Sequence, residues 1–341
     1  MREPSFWWRA AGIEAVLLAP AAAIYGAVAA QRLKRQGYRA GVPVLCIGNP
    51  TVGGAGKTPT ALLVASMLSA AGERPVFLTR GYGGRQRGPQ LVDPERDRAA
   101  DVGDEPLLLA REAPTVVGRD RVAGAKTAIA AGASVIVMDD GFQNPSLAKD
   151  FSVLVVDGRR GTGNGKVFPA GPLRAPLDDQ LARADAVILV GAVGEAAAPI
   201  VAAADARKCP VFRARLAPDR DAIAALAGKR VLAFAGIGDP EKVFATLRDA
   251  GVAVAATRSF ADHHRYTSAE ARSLCNEADA EGLMLVTTEK DRARLQGDEA
   301  MVELAARVRV LPVSLVIEEE AAWERLLAER TAAARSSRLS A

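Results

Sequence analysis

Short apolar runs rich in β-branched residues alternate along this chain with longer stretches whose apolar positions recur at helical spacing. The first kind reads as buried strand, the second as helix. Strands are predicted at 42–47, 75–79, 115–117, 134–138, 152–156 and 186–190, with helices at 60–71, 105–111 and 121–131 among them. A second series begins near residue 229, with strands at 230–235, 252–256, 283–287 and 308–313 and helices at 240–250, 268–280 and 318–334. This order predicts α/β architecture with a mainly parallel sheet. Segments 211–216 and 309–316 alternate enough to pair as hinge strands, so a first α/β domain is expected at 41–210 and a second at 211–335. Residues 158–180, rich in Gly, Pro and Arg, break the rhythm, and a loop that long inside a domain is more often functional than idle. Residues 336–341 read as a frayed end.

The first forty residues follow a different pattern. Trp7 and Trp8 precede a mostly apolar run to Ala30, and Arg32, Lys34, Arg35 and Arg39 follow it. A signal peptide fits poorly with the tryptophans, Glu14 and the trailing basic cluster. A membrane span is allowed by length but weakened by Glu14, Pro20 and the many alanines. A helix lying in the membrane interface suits the Trp pair and basic flank best, and a helix packed on the protein is the remaining reading. Residues 1–40 are therefore expected as a membrane-associated helix.

Composition narrows the classes. With 49% apolar and 25% charged residues in 341, the chain can bury a large core and is not disordered. A net charge of +4 is too small to argue for nucleic acid but suits anionic substrates or lipids. Cys46, Cys209 and Cys275 lie far apart without metal-ligand spacing, as reduced thiols of a cytosolic protein would. His263 and His264 are the only histidines, so imidazole chemistry is confined to them.

The first strand runs into a Gly-rich loop. Gly53, Gly54 and Gly56 are followed by Lys57 and Thr58, which open a helix. Strand, Gly-rich loop, Lys-Thr and helix is the layout of a P-loop, whose backbone N–H groups converge on phosphate. Lys57 would reach the β/γ-phosphates and the Thr58 hydroxyl would ligate Mg²⁺. The standard spacing wants Gly at position 51, where this chain has Thr51. A nucleotide site also implies that the domain after the helix faces the cytoplasm. Asp139 and Asp140 end another apolar strand, the Walker B arrangement that holds Mg²⁺ opposite a P-loop.

Arginines follow further strand ends. Arg80, in Thr-Arg-Gly-Tyr-Gly-Gly, and Arg119 and Arg121, in Gly-Arg-Asp-Arg, suit phosphate oxygens. Asp104 is open to two readings, the N-cap of a following helix or a base for a substrate hydroxyl. Asp262 beside His263 is a carboxylate–imidazole pairing common in catalysis, though a lone one is more often structural than not. Thr287-Thr-Glu-Lys-Asp291 either frames a nucleotide base or caps a helix.

Taken in order, Gly-Asn-Pro-Thr-Val-Gly-Gly-Ala-Gly-Lys-Thr-Pro, Thr-Arg-Gly-Tyr-Gly, Gly-Asp-Glu-Pro, Asp-Asp-Gly-Phe-Gln, Phe-Pro-Ala-Gly-Pro-Leu-Arg, Asp-His-His and Thr-Thr-Glu-Lys-Asp resemble the tetraacyldisaccharide 4′-kinases, the lipid A 4′-kinases of Gram-negative bacteria. Thr51 belongs to that family's pattern. The resemblance implies two α/β/α domains joined by a two-stranded β-ribbon, with the N-terminal helix on the cytoplasmic face of the inner membrane. It implies ATP and Mg²⁺ as cofactors and a lipid disaccharide 1-phosphate as the substrate, with no nucleic acid and no obligate protein partner. Lys57 and Thr58 would bind phosphate and Mg²⁺, Asp139 and Asp140 would serve the metal, and Arg80 and Arg121 would act on phosphates. Asp104 would be the base, helped by His263. Two rivals share parts of this pattern: a soluble kinase or amide synthetase of the dethiobiotin type, and a membrane-attached P-loop ATPase acting as a positioning switch. The first has no use for the Trp-rich helix or the 158–180 loop, and the second none for Asp104 or His263.

Overall fold

Val44–Gly48 (β1) is apolar and wholly buried, which suits the centre of a parallel sheet covered on both faces. In the computed structural model, which describes residues 3–339, it is followed by β2 (Pro75–Thr79), β3 (Gln90–Leu91), β4 (Thr115–Val117), β5 (Val135–Asp139), β6 (Phe151–Asp157), β7 (Ala186–Val190) and β8 (Val211–Pro218). Then come β9 (Arg230–Ala235), β10 (Ala253–Ser259), β11 (Met284–Thr288), β12 (Arg309–Leu311) and β13 (Val313–Ile317). The larger sheet has the order β13-β8-β7-β6-β1-β5-β2-β4-β3 and the smaller β10-β9-β11-β12. The smaller sheet is parallel, and the larger departs from parallel only at its edges, β13 on β8 and β3 on β4. The α/β class with mainly parallel pairing is thus as expected.

Two details differ near the C-terminus. The strand expected across 309–316 is two strands in different sheets, because Pro312 lacks the N–H a continuous ladder needs. The last helix, Glu320–Leu339, expected with the second domain, packs on the larger sheet, where Trp323 is buried against Phe151 and Phe212 at ring distances of 6.0 and 5.2 Å. Residues 336–338, expected to fray, continue that helix, because Arg338 pairs with Asp150 at 2.7 Å and donates to the Ala40 carbonyl. Ser340 and Ala341, also assigned to the frayed end, and Met1 and Arg2, assigned to the N-terminal helix, lie outside the described residues.

The N-terminal helix runs Ile13–Leu33 and is long and apolar enough to cross a membrane. Its small residues, Ala15, Ala22 and Gly26, lie on Ala170 and Val167, where a close approach needs small residues. Its large ones, Ile13, Val16, Leu17 and Ile24, are each more than two-thirds exposed. Trp7 is not among the exposed aromatics. It is buried, donates its indole N–H to the Pro169 carbonyl at 3.1 Å and meets Phe168 edge-on. The Trp7 side chain thus anchors the segment to the 158–180 loop rather than to an interface.

Candidate functional site

The C-terminal ends of β1 and β5 lie side by side, because the two strands pair directly. Beyond β1, Gly53 and Gly56 take φ of 107° and 93°, backbone that side chains rarely adopt. A Cβ at Gly54 would meet nothing within 4 Å, so the loop is open on that side. Helix Lys57–Ala70 starts directly after Gly56, which aims its first N–H groups into the same space. Thr51 needs no glycine freedom, since it pairs with Leu173 in an antiparallel bridge. The carbonyl of Thr51 also accepts from Arg174 at 2.9 Å. The Glu3 carboxylate, held by Trp8 and Arg160, lies against Gly53.

Asp139 and Asp140 sit at the end of β5 in unlike surroundings. Asp139 is 1% exposed; its Oδ2 accepts from the Thr58 hydroxyl at 3.2 Å and its Oδ1 has no partner among the described residues. Burial, and then the neighbouring Glu105 charge, push the Asp139 carboxyl up to about 7, against the pull of Lys57. Asp140, at φ 56°, turns its carboxylate to Arg174 at 3.1 Å and Lys57 at 3.8 Å. Burial opposes its charge, but Lys57 and Arg174 outweigh that and hold it below the ordinary range. Asp139 therefore has a free oxygen for a cation while Asp140 is already paired. Among the described residues no cluster of three His, Cys, Asp or Glu side chains could hold a metal, so a cation there needs the Thr58 hydroxyl and oxygens from outside the protein.

Asp104 opens helix Asp104–Glu112 directly after Gly103, whose φ of 99° makes the turn. Its Oδ1 accepts from the Glu105 N–H at 3.0 Å, a helix-end role close to the capping one considered above. The carboxylate also reaches the smaller sheet's half of the molecule. His263 Nδ1 lies 3.2 and 3.1 Å from its two oxygens, and Arg294 Nε donates to Oδ2 at 2.7 Å. Burial works against the Asp104 charge, but the His263 hydrogen bond and the Arg294 and His263 charges hold it well below the usual carboxylate range. Burial would lower His263, and Asp104 more than offsets that, so its pKa is raised. His263 adopts φ 55°, donates its backbone N–H to Gly236, and lies beside the Tyr82 ring. His264 does something else: it stacks on Phe260 and turns Nε2 to Glu270 at 3.0 Å, within the smaller sheet's half.

Further contacts hold the halves together around this point. Lys290 bonds Glu105 at 2.6 Å, Arg265 donates to the Gly83 carbonyl at 3.0 Å, and Lys242 pairs with Asp157. Asp239 accepts from Arg159 and Arg160 at 3.0 and 3.3 Å. Asp262 comes within 3.8 Å of His263 Nε2, the ring nitrogen that Asp104 does not engage.

The arginines divide. Arg80 is exposed at the end of β2. Arg121 is 2% exposed, and its guanidinium donates to the Gly118 carbonyl at 2.7 Å and the Asp140 carbonyl at 3.5 Å, so it braces backbone rather than facing open space. Sequence reading missed Arg174, Glu105 and Arg294 as site residues and left Lys290 between framing a nucleotide base and a helix cap, whereas it pairs with Glu105. Three of these stood inside or beside motifs already marked: Arg174 closes the Phe-Pro-Ala-Gly-Pro-Leu-Arg run, Glu105 follows Asp104, and Lys290 precedes Asp291. Arg294 had no signal beyond its i+3 spacing from Asp291.

The sequence profile of tetraacyldisaccharide-1-P 4′-kinase matches residues 14–332. A tetraacyldisaccharide 4′-kinase of Nitrobacter winogradskyi is 55% identical over 335 residues, spanning 98% of this chain and 99% of its own. One of Rhodopseudomonas palustris is 57% identical over 336 residues, spanning 98% of each. Among solved structures, apo-form LpxK from Aquifex aeolicus in complex with ATP superposes with a TM-score of 0.71 at 25% identity, over 93% of this chain and 99% of that one.

Proposed function

The chain belongs to the tetraacyldisaccharide-1-P 4′-kinase family, and we propose that the space where its two sheets meet is where the family's reaction runs. The chain is an ATP-dependent kinase that phosphorylates the 4′-hydroxyl of a tetraacyldisaccharide 1-phosphate, a lipid A precursor. The observation that carries the site reading is the contact between Asp104 and His263, 159 residues apart, at the edge that carries the phosphate loop.

Gly53, Gly54 and Gly56 offer backbone N–H groups to the ATP phosphates, and Lys57 adds its charge. Thr58 and Asp139 would hold Mg²⁺; the unpartnered Asp139 oxygen beside a hydroxyl is the donor chemistry a hard cation takes. When bound there, the ion would supply positive charge against the phosphate oxygens. Asp140 serves that site indirectly, by holding Lys57 and Arg174 in place. Arg80 is free to engage phosphate, whereas Arg121 steadies the turn at Asp140.

The acceptor hydroxyl is a poor nucleophile, so its proton must be taken as the bond to phosphorus forms. Asp104 and His263 take it as a pair. Asp104 is 4% exposed and held acidic, and it engages Nδ1 of the ring, so Nε2 of the neutral imidazole is left to accept the proton while the carboxylate orients the ring and stabilises the charge it gains. The two groups come from different halves, so the pair exists only where the halves meet over the substrates. Helix Ile13–Leu33 would lay its exposed apolar face in the cytoplasmic leaflet of the inner membrane and bring the lipid to this edge, along the 158–180 loop, which Trp7 holds at Pro169 and Arg174 ties to Asp140.

The test is transfer of ³²P from ATP to purified disaccharide 1-phosphate lipid in detergent micelles. Product from the intact chain and a severe loss in Asp104→Ala are expected. Nucleotide-dependent dimerisation without transfer would favour a positioning ATPase instead.

A further inference from the structure

Arg294 is the cation most closely engaged with Asp104. Its Nε donates to Asp104 Oδ2 at 2.7 Å and its Nη2 donates to the same oxygen. Its other terminal nitrogen, Nη1, donates to the Gly236 carbonyl at 2.6 Å and to Asp291 Oδ1 at 2.8 Å. The Arg294 side chain is 5% exposed and that of Asp291 0%, so neither has solvent as an alternative partner. Asp291 in turn accepts from the Gly236 N–H at 3.0 Å, the Tyr266 hydroxyl at 2.8 Å and the Thr288 hydroxyl at 2.6 Å. An unbroken series of contacts, Tyr266 to Asp291 to Arg294 to Asp104 to His263, leads from the smaller sheet's core to the proton-accepting pair.

A planar guanidinium fixed at one end imposes direction on the carboxylate at the other. Asp104 needs that constraint, because a buried carboxylate without a cation takes up a proton and is then free to rotate. Arg294 spends its hydrogen bonds on Asp104, Gly236 and Asp291 and makes none to His263 among the described residues. We propose that Arg294 is a positioning residue for the phosphoryl transfer, acting through Asp104: it keeps that carboxylate turned to His263, and Asp291 with Tyr266 keeps the guanidinium in place. This rests on the reading of Asp104 and His263 as the pair that takes the proton. It also gives the Thr-Thr-Glu-Lys-Asp stretch a task, since Thr288 and Asp291 are two of its five residues.

The pair sits in a mixed field. Asp104 faces His263, Arg294 and, farther off, Lys290; His263 faces Asp104, Asp262, Glu105 and the Tyr82 ring. Removing one positive charge from that field lets the pair bind its proton more tightly, so the acid limb of the activity profile moves to higher pH.

The experiment is steady-state ³²P transfer by the full chain in micelles, with Mg-ATP and the disaccharide 1-phosphate, across pH. Arg294→Gln is expected to lower kcat at least tenfold, leave KM for ATP within about twofold, and move the acid limb up by about one pH unit. Arg294→Lys keeps the charge and is expected to return the limb to its wild-type position with part of kcat. In an Asp104→Asn background, Arg294→Gln is expected to cost nothing further. If Arg294→Gln loses its circular-dichroism signature, Tyr266→Phe reads the same contacts more gently and is expected to shift the limb in the same direction by less. An unmoved limb, or a loss that multiplies with that of Asp104→Asn, overturns the proposal while leaving the proton-accepting pair intact. Near-wild-type kcat in Asp104→Asn alone removes the pair reading, and this proposal with it.

Discussion

Asp104 and Asp139 are both enclosed, 4% and 1% exposed, and both stand near the phosphate loop, yet they titrate in opposite directions. Burial raises the pKa of each. Around Asp104 the other half of the molecule supplies Arg294 and His263, and the carboxylate stays acidic. Around Asp139 the chain supplies a hydroxyl and another carboxylate, Glu105, with Lys57 as the opposing charge, and the pKa rises to about 7. Burial alone therefore does not decide a carboxylate's charge; the partners do. One aspartate is completed by protein; the other keeps an oxygen with no partner among the described residues.

The largest expected effect tests the phosphate-loop end. Lys57→Ala should lower phosphoryl transfer by about 10³-fold or more, because it removes charge where the transition state gathers it, and far-UV circular dichroism should be unchanged. Near-normal turnover in ³²P transfer would remove the P-loop assignment. At the other end, Asp104→Ala should cost about 10²–10⁴-fold in kcat with ATP affinity nearly unchanged, as nucleotide titration would show.

Stability should separate the two aspartates in sign. Asp104→Asn leaves Arg294 with a buried, half-paired charge and should destabilise the protein by about 3 kcal/mol. Asp139→Asn relieves the repulsion with Glu105 and should leave the nucleotide-free, metal-free protein as stable or slightly more so, while abolishing transfer. Thermal unfolding of both variants in chelator is the check; equal destabilisation would erase the contrast.

A smaller effect lies in the pH profile. His263 is raised by Asp104, so the acid limb of kcat/KM should fall above the ordinary imidazole value of about 6.5. In any residual activity of Asp104→Asn that limb should move down towards it, opposite to the direction expected for Arg294→Gln. The gentlest change is removal of residues 1–40, which should release much of the protein from membranes in a flotation assay and spare ATP binding. Full retention would point to another anchor.

The larger part of the fold was legible because strand–helix alternation is a local signal: β2, β4, β7 and β9 begin and end where apolar runs do. What escaped was decided by distant partners. The pairing of the 313–317 strand with 211–218 was expected, but that residues 309–311 leave it for β11 depends on the smaller sheet's edge. Trp7 looked like a membrane-interface residue because nothing nearby in sequence reveals its acceptor at Pro169. In the site, the phosphate loop and the β5 carboxylates announce themselves by spacing. The meeting of Asp104 with His263 has no local signature and entered only through family resemblance. Arg294 lay outside every motif, and only the fold brings it to Asp104.

The central claim is that Asp104 and His263, from opposite halves, act as one unit on the acceptor hydroxyl. A double-mutant cycle of Asp104→Ala and His263→Ala, with kcat measured under saturating ATP and lipid and His264→Ala as the neighbouring control, tests it most directly. The account predicts a double loss well short of the product of the single losses, and a milder effect at His264, which is committed to Glu270. Fully multiplicative losses, or a His264 effect exceeding that of His263, would contradict it.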